Sequence, residues 1–150
     1  MCDFSALSGF LTSLGLFAGF AATSAVFALM WARFGDYPPV VSICFSFAAA
    51  WALSAGIMVV LAKSAMTTFC ACASRVATCS SACDNLKSLL IALMVSLAIL
   101  LGTSLAMGAE PLLLSEQPAL VVALILSAAA TSVGVGLLGY VGSKLSTCQA

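Results

Sequence analysis

The chain has 150 residues, of which 63% are hydrophobic and 7% are charged, and its five basic and five acidic side chains balance. A soluble domain carries about 25% charged residues, so this composition excludes a water-soluble monomer. It also excludes an intrinsically disordered chain, which needs low hydrophobicity and a high net charge. The remaining class is an integral membrane protein.

Four long stretches of the chain contain no charged residue. Each exceeds the roughly 20 apolar residues that a helix needs to cross a bilayer. Hydrocarbon cannot hydrogen-bond a backbone, so each stretch must be a helix or a barrel strand, and runs such as 89–95 lack the alternation of a barrel strand. The sequence predicts an all-α, integral membrane four-helix bundle, as one domain over residues 1–150. The predicted spans are 4–31, 40–62, 88–109 and 119–142.

The first span lacks the preceding basic segment of a secretory signal peptide, so we predict that it is a retained helix. Small residues recur about one turn apart on this span and on the fourth, and such faces let membrane helices approach closely. We predict that they form helix–helix contacts, within the bundle or with a partner helix. The residues concerned are Gly15, Gly19 and Thr23 on the first span and Ala128, Ser132 and Gly136 on the fourth.

Gly35, Pro38 and Pro39 are expected to end the first helix and to begin the second. Trp51 then lies near the middle of the second span rather than at a membrane interface. Its ring either packs against a neighbouring helix or contacts a lipid, pigment or quinone. We favour packing.

The connection between the second and third spans, residues 63–87, contains neither Gly nor Pro. Apolar and cysteine side chains recur there every three or four residues, a pattern typical of an amphipathic helix. We predict that the second helix continues past the membrane or bends onto its surface. Ser81 and Asp84 have the spacing of a capping box that would start the third helix. A disordered loop is the alternative.

Both termini and the 63–87 connection lie on the same side of a four-span protein. Four of the five basic residues are on that side, and Arg33 is on the other. Because basic residues concentrate in cytoplasmic loops, this bias predicts that both termini lie on the inner side.

Six of the seven cysteines also fall on that predicted inner side, and four of them cluster at Cys70, Cys72, Cys79 and Cys83. Cytosolic thiols are kept reduced, so structural disulfides are not expected there. The cluster is a candidate for binding Zn²⁺ or Cu(I), for S-acylation or for thiol redox chemistry, although it lacks a CxxC pair. The simpler interpretation is that the cysteines only line an interfacial helix. Cys44 lies within a span and is expected to behave as a small hydrophobic residue.

The sequence contains no histidine, and no charged residue falls inside a predicted span. This removes the usual haem ligand and proton shuttle, and it also removes the intramembrane charge that pumps and ion-coupled transporters normally carry. We therefore expect no catalytic residue, no cofactor and no enzymatic activity.

These features predict a non-catalytic accessory or scaffolding subunit. Its partners would be the lipid bilayer and other membrane proteins, or further copies of itself, and no nucleic acid is expected. One alternative is a thiol- or metal-handling membrane protein that uses the cysteine cluster. Another is a small homo-oligomeric channel or transporter. The identity of the membrane is left open.

Overall fold

The computed structural model describes residues 4–34, 38–73, 77–109 and 118–147. These residues form four long α-helices, each long and apolar enough to cross a membrane. The prediction of an all-α, multi-pass helix bundle is confirmed at this level. The helices are α1, Ser5–Phe34; α2, Pro38–Ala73; α3, Ala77–Ala109; and α4, Pro118–Ser146.

Proline marks the start of two helices, α2 at Pro38 and α4 at Pro118. Proline suits the first position of a helix because its missing N–H would have no partner there and its φ angle is already helical. The prediction that the prolines begin the second helix is confirmed, whereas Gly35 lies outside the described residues.

Helix fills most of the 63–87 connection, since α2 continues to Ala73 and α3 begins at Ala77. The predicted helical extension is therefore confirmed, and the disordered-loop alternative is wrong for the described part of this segment. The predicted capping box is also wrong, because Ser81 and Asp84 lie inside α3 rather than at its start. No Gly or Pro lies between Ala77 and Ser81, so no helix-breaking residue prevents the helix from starting at Ala77.

Each helix packs against the next one along the chain, and α4 packs against α1, with little contact across the α1–α3 diagonal. The interior alternates between rows of small and large side chains. Small rows allow backbones to approach, which is the main source of helix association in lipid. The buried rows include Ala18, Ala21 and Ala25 on α1, Ala48, Ala52 and Ala55 on α2, and Leu90, Leu93 and Leu97 on α3.

One end of the bundle brings together parts of all four helices. The rings of Phe4 and Phe69 lie 5.4 Å apart, which places the start of α1 beside the end of α2. A disulfide joins the end of α2 to the start of α3, and Ser146 near the end of α4 lines the same cavity as Phe4. We call this the cysteine end.

Trp51 packs against α1, as we favoured. Its ring centroid lies 5.5 Å from that of Phe17 and 5.0 Å from that of Phe20. Aromatic pairs at this distance stabilise a contact by about 0.5–1.5 kcal/mol beyond the area they bury. The large indole therefore ties the middle of α2 to the middle of α1.

Gly134 lies where α4 meets a buried leucine of α3. A Cβ atom at this position would lie 2.5 Å from Cδ2 and 3.1 Å from Cγ of Leu93, a side chain that is only 1% exposed. Two residues later, a Cβ atom on Gly136 would have no neighbour within 4 Å. The two glycines therefore differ in packing although they share a helix.

We expect Gly134→Ala to destabilise the bundle by about 1–3 kcal/mol relative to Gly136→Ala, because it overpacks the α3–α4 contact. Gly136→Ala should be neutral or slightly stabilising, since alanine is the better helix former. Thermal unfolding of both variants in mild detergent, followed by circular dichroism, measures the difference. Equal melting temperatures would show that Leu93 gives way and that this contact is not tight.

Candidate functional site

The cysteine end is held by disulfide bonds. Cys70 on α2 is bonded to Cys83 on α3, with their Cα atoms 6.1 Å apart. Cys72 and Cys79 are disulfide-bonded as well. Cys44, by contrast, is a free and half-buried thiol within α2. The two remaining cysteines of the chain, at positions 2 and 148, lie outside the described residues.

This arrangement differs from the reduced thiols that we expected at this end. The expectation came from the predicted cytosolic side and not from the local geometry. Helical extension of both α2 and α3 brings Cys70 and Cys83 face to face, within the range of Cα separations that a disulfide spans. The expectation that this cluster holds no structural disulfide is therefore wrong.

Oxidation changes what the four clustered cysteines can do chemically. Zinc and Cu(I) bind thiolates, and S-acylation also needs a free thiol, whereas a disulfide sulfur offers neither. Within the described ranges, no group of three or more His, Cys, Asp or Glu side chains is placed to hold a metal ion. A metal or acyl site at Cys70, Cys72, Cys79 and Cys83 stays a prediction that applies only to a reduced chain.

The small residues predicted on the first span divide between the interior and the surface. A Cβ atom on Gly15 would lie 3.9 Å from Cγ1 of Val135 and 4.0 Å from Cδ2 of Leu138, so Gly15 contacts α4. Gly19 has no such neighbour within 4 Å. Thr23 is exposed, and its hydroxyl donates to the carbonyl of Gly19 at 2.8 Å.

The predicted set on the fourth span divides in the same way. Ala128 is buried in the core, whereas Gly136 faces open space. Ser132 is exposed, and its hydroxyl donates to the carbonyl of Ala128 at 3.0 Å. A strict four-residue repeat turns about 40° further around an α-helix at each step, so the row that starts inside at Ala128 drifts outward.

Sequence reasoning missed the residues that join α4 to α3. Thr131 donates to the carbonyl of Ser127 at 2.7 Å and lies 3.3 Å from Oγ of Ser96 across the interface. Gly134 is the next contact along this face. Alternating steps of three and four residues from Leu124 would have found all of the buried face of α4 except Ala128. That face consists of Leu124, Ser127, Ala128, Thr131, Gly134, Leu138, Val141 and Leu145.

A groove of about 460 Å³ opens between α1 and α4 near the cysteine end, and we call it the α1–α4 groove. Glycines make up part of its α4 wall, where Cβ atoms on Gly139 and Gly142 would have no neighbour within 4 Å. The hydroxyl of Thr12 in the α1 wall donates to the carbonyl of Ser8 at 2.9 Å. Its lining is Phe4, Ser8, Leu11, Thr12, Gly15, Leu16, Val135, Leu138, Gly139, Gly142, Ser143 and Ser146.

Charged side chains stay on the outside of the bundle. Every charged residue whose burial the structure describes is exposed, namely Arg33, Lys63, Asp84, Lys87 and Lys144. The ammonium of Lys144 lies 4.9 Å from the centre of the Tyr140 ring, a cation–π contact near the end of α4. The described interior contains only apolar and hydroxyl side chains.

Comparison with protein-family models, with curated proteins and with solved structures finds no match to this chain.

We expect the double substitution C70S/C83S to destabilise the bundle by up to about 3 kcal/mol. The bond closes a loop between residues 13 apart in sequence, and opening a loop of about 15 residues costs about that much. Cys44→Ser is the matched control, because that thiol is unpaired. Melting temperatures of the three proteins in detergent, without reductant, measure the effect. If the double variant and the wild type have the same melting temperature, the bond does not stabilise the contact between α2 and α3.

Proposed function

We propose that the chain is a non-catalytic accessory subunit and that its α1–α4 groove receives a transmembrane helix of another membrane protein. The observation that carries this proposal is the open backbone at Gly139 and Gly142. Membrane helices associate where small residues let their backbones approach, because lipid chains already solvate large apolar side chains. A partner helix gains close packing in this groove that lipid chains supply less well.

The position of the groove supports the same proposal. No single loop of the chain joins α1 directly to α4, and their seam is less extensive than those between consecutive helices. Much of the remaining surface presents bulky side chains such as Phe47, Leu126 and Val133, which suit lipid. Open glycines such as Gly102 and Gly136 also occur there, but they do not line the α1–α4 groove. The absence of histidine and of charged residues within the predicted spans supports a non-catalytic role.

Photo-crosslinking tests the groove as the docking face. A benzophenone amino acid replaces Leu16, which lines the groove and is 57% exposed, or Leu53, which is 56% exposed on α2 and lies outside it. In native membranes, irradiation should join the chain to another membrane protein from position 16 and much less from position 53. The two side chains are equally accessible on the chain by itself, so position 53 is a matched control.

Equal adducts from the two positions would contradict a specific groove. Adducts with lipid alone from position 16 would contradict the accessory-subunit proposal as a whole. An adduct only with a second copy of the chain would convert it into self-association through the same face.

We also propose that the cysteine end faces an oxidising compartment. The basic residues favour the cytosolic side for this end, so the two indications disagree. We give more weight to the disulfides, because persistent disulfides are rare in reducing compartments. The charge rule rests here on five side chains only.

Thiol trapping in cells tests this orientation. Cells are quenched in acid, free thiols are blocked, disulfides are then reduced, and the released thiols are labelled with a heavy maleimide. We expect Cys70 and Cys83 to be labelled only after reduction and Cys44 to be blocked in the first step. If Cys70 and Cys83 are blocked with Cys44, the end is reduced in the cell and the cytosolic orientation is restored.

The alternative functions have weaker support among the described contacts. A thiol- or metal-handling role would require the disulfides to be reduced first. For a channel, the hydroxyls of Ser46 and Ser54 would have to face a water path, yet they donate to their own helix at Ser42 and Ala50. A hydroxyl satisfied in this way is a poor lining for a pore.

A further inference from the structure

We infer that a second groove, between α2 and α3, binds one anionic phospholipid, and that Lys63 and Lys87 contact its phosphate. This groove has a volume of about 330 Å³ and lies at the α2–α3 interface, so it shares no helix with the α1–α4 groove. We call it the α2–α3 groove. The inference does not depend on the proposed function.

The lining of the α2–α3 groove is apolar apart from the two lysines. Its floor consists of the buried side chains of Val59, Met66 and Leu90, and exposed side chains such as Val60 and Val95 form its walls. Lys87 lies at the end of this groove nearest the cysteine end, and Lys63 lies about halfway along its α2 wall. An apolar groove that carries two cationic groups is complementary to an anionic amphiphile. Basic pockets between transmembrane helices on the cytoplasmic side bind anionic headgroups for this reason. The attraction between an ammonium group and a phosphate is the same in either leaflet, so the site does not depend on the orientation of the chain.

The depth of the two lysines fits a lipid headgroup. Lys63 precedes the bonded Cys70 by two helical turns, and Lys87 follows Cys83 by one, so each lies about 6–10 Å along its helix from the disulfide. Both lie within stretches long and apolar enough to span a membrane, Pro39–Cys72 and Cys79–Ala109. At this depth an ammonium group needs either an anionic partner or a path to water. Neither lysine forms an ion pair with another described residue, and the nearest carboxylate along α3, that of Asp84, does not line the groove.

The length of the groove fits an acyl chain. From Lys87 to Val95 the groove follows α3 for about 12 Å. One leaflet of the hydrocarbon core is about 15 Å thick, which is half of the whole core. A phospholipid with its phosphate at the lysines would therefore lay one acyl chain along the apolar walls. A free phosphate ion would not contact the apolar walls of the α2–α3 groove, so a phospholipid is the better ligand.

Native mass spectrometry of the full chain in an uncharged detergent tests the site, with phosphatidylglycerol and phosphatidylcholine as probes. We expect phosphatidylglycerol to bind more tightly than phosphatidylcholine. The double variant K63Q/K87Q should lose about 10- to 30-fold in phosphatidylglycerol affinity, as two lysines near an anionic headgroup imply. Lys144→Gln is the matched control, because this lysine lies over Tyr140 and outside the groove. The affinity of this variant for phosphatidylglycerol should equal that of the wild type.

A second variant separates a lipid site from a simple anion site. Val95→Trp fills the groove from an exposed position and keeps both lysines. We expect it to weaken phosphatidylglycerol binding severalfold, with inorganic phosphate failing to displace the lipid. Equal affinities of wild type and K63Q/K87Q would overturn the inference. The inference would also be overturned if inorganic phosphate displaced phosphatidylglycerol and if Val95→Trp bound phosphatidylglycerol with the affinity of the wild type. This second test holds even if K63Q/K87Q does not fold.

Discussion

A backbone inside hydrocarbon finds no water to hydrogen-bond, and every other feature of this protein builds on that constraint. Each unpaired N–H or C=O group there costs several kcal/mol, so the chain crosses the membrane only as helix. The same demand governs the hydroxyl side chains. Those of Thr23, Ser54 and Ser132 donate to carbonyls one turn earlier in their own helices. Most described hydroxyl groups are therefore satisfied within their own helix, with the buried hydroxyl of Ser104 as an exception, and few remain to hold the helices together.

Close van der Waals packing must then hold the helices together, because the hydrophobic effect does not drive helix association in lipid. Rows of alanine on α1 and α2, and Gly134 on α4, let backbones approach, while Trp51 and the leucines of α3 fill the remaining volume. The same rule is the basis of the docking site that we propose for a further helix, where α4 leaves its backbone uncovered at Gly139 and Gly142. The proposed docking therefore uses the same interaction that assembles the bundle, which is close backbone packing at small residues.

The cysteine end differs from the rest of the bundle, because a covalent bond holds α2 to α3 there. Basic residues are found near the same end, and Lys63 and Lys87 lie beside an apolar groove. Charge bias and disulfide bonding point to opposite sides of the membrane for this end. The compartment, rather than the fold, decides whether its cysteines are a structural bond or a set of reactive thiols.

Much of the fold could be predicted from the positions of the charges and the periodicity of apolar residues. Charge-free stretches located the four helices, and the spacing from Phe69 to Leu86 predicted helix in the longest connection. The pairing of Cys70 with Cys83 could not be predicted, because it depends on how α2 and α3 meet beyond the charge-free stretches. That Gly134 rather than Gly136 contacts Leu93 could not be predicted either. It depends on how α4 is rotated against α3, and sequence spacing alone does not determine that rotation.

We propose above all that this chain works through its outer surface, as part of a larger membrane assembly. Extraction of the wild-type chain from its own membrane in styrene–maleic acid nanodiscs, followed by mass measurement of the intact particle, tests it most directly. We predict particles that contain this chain together with at least one other membrane protein. Particles that hold a single copy of the chain with lipid alone would contradict it.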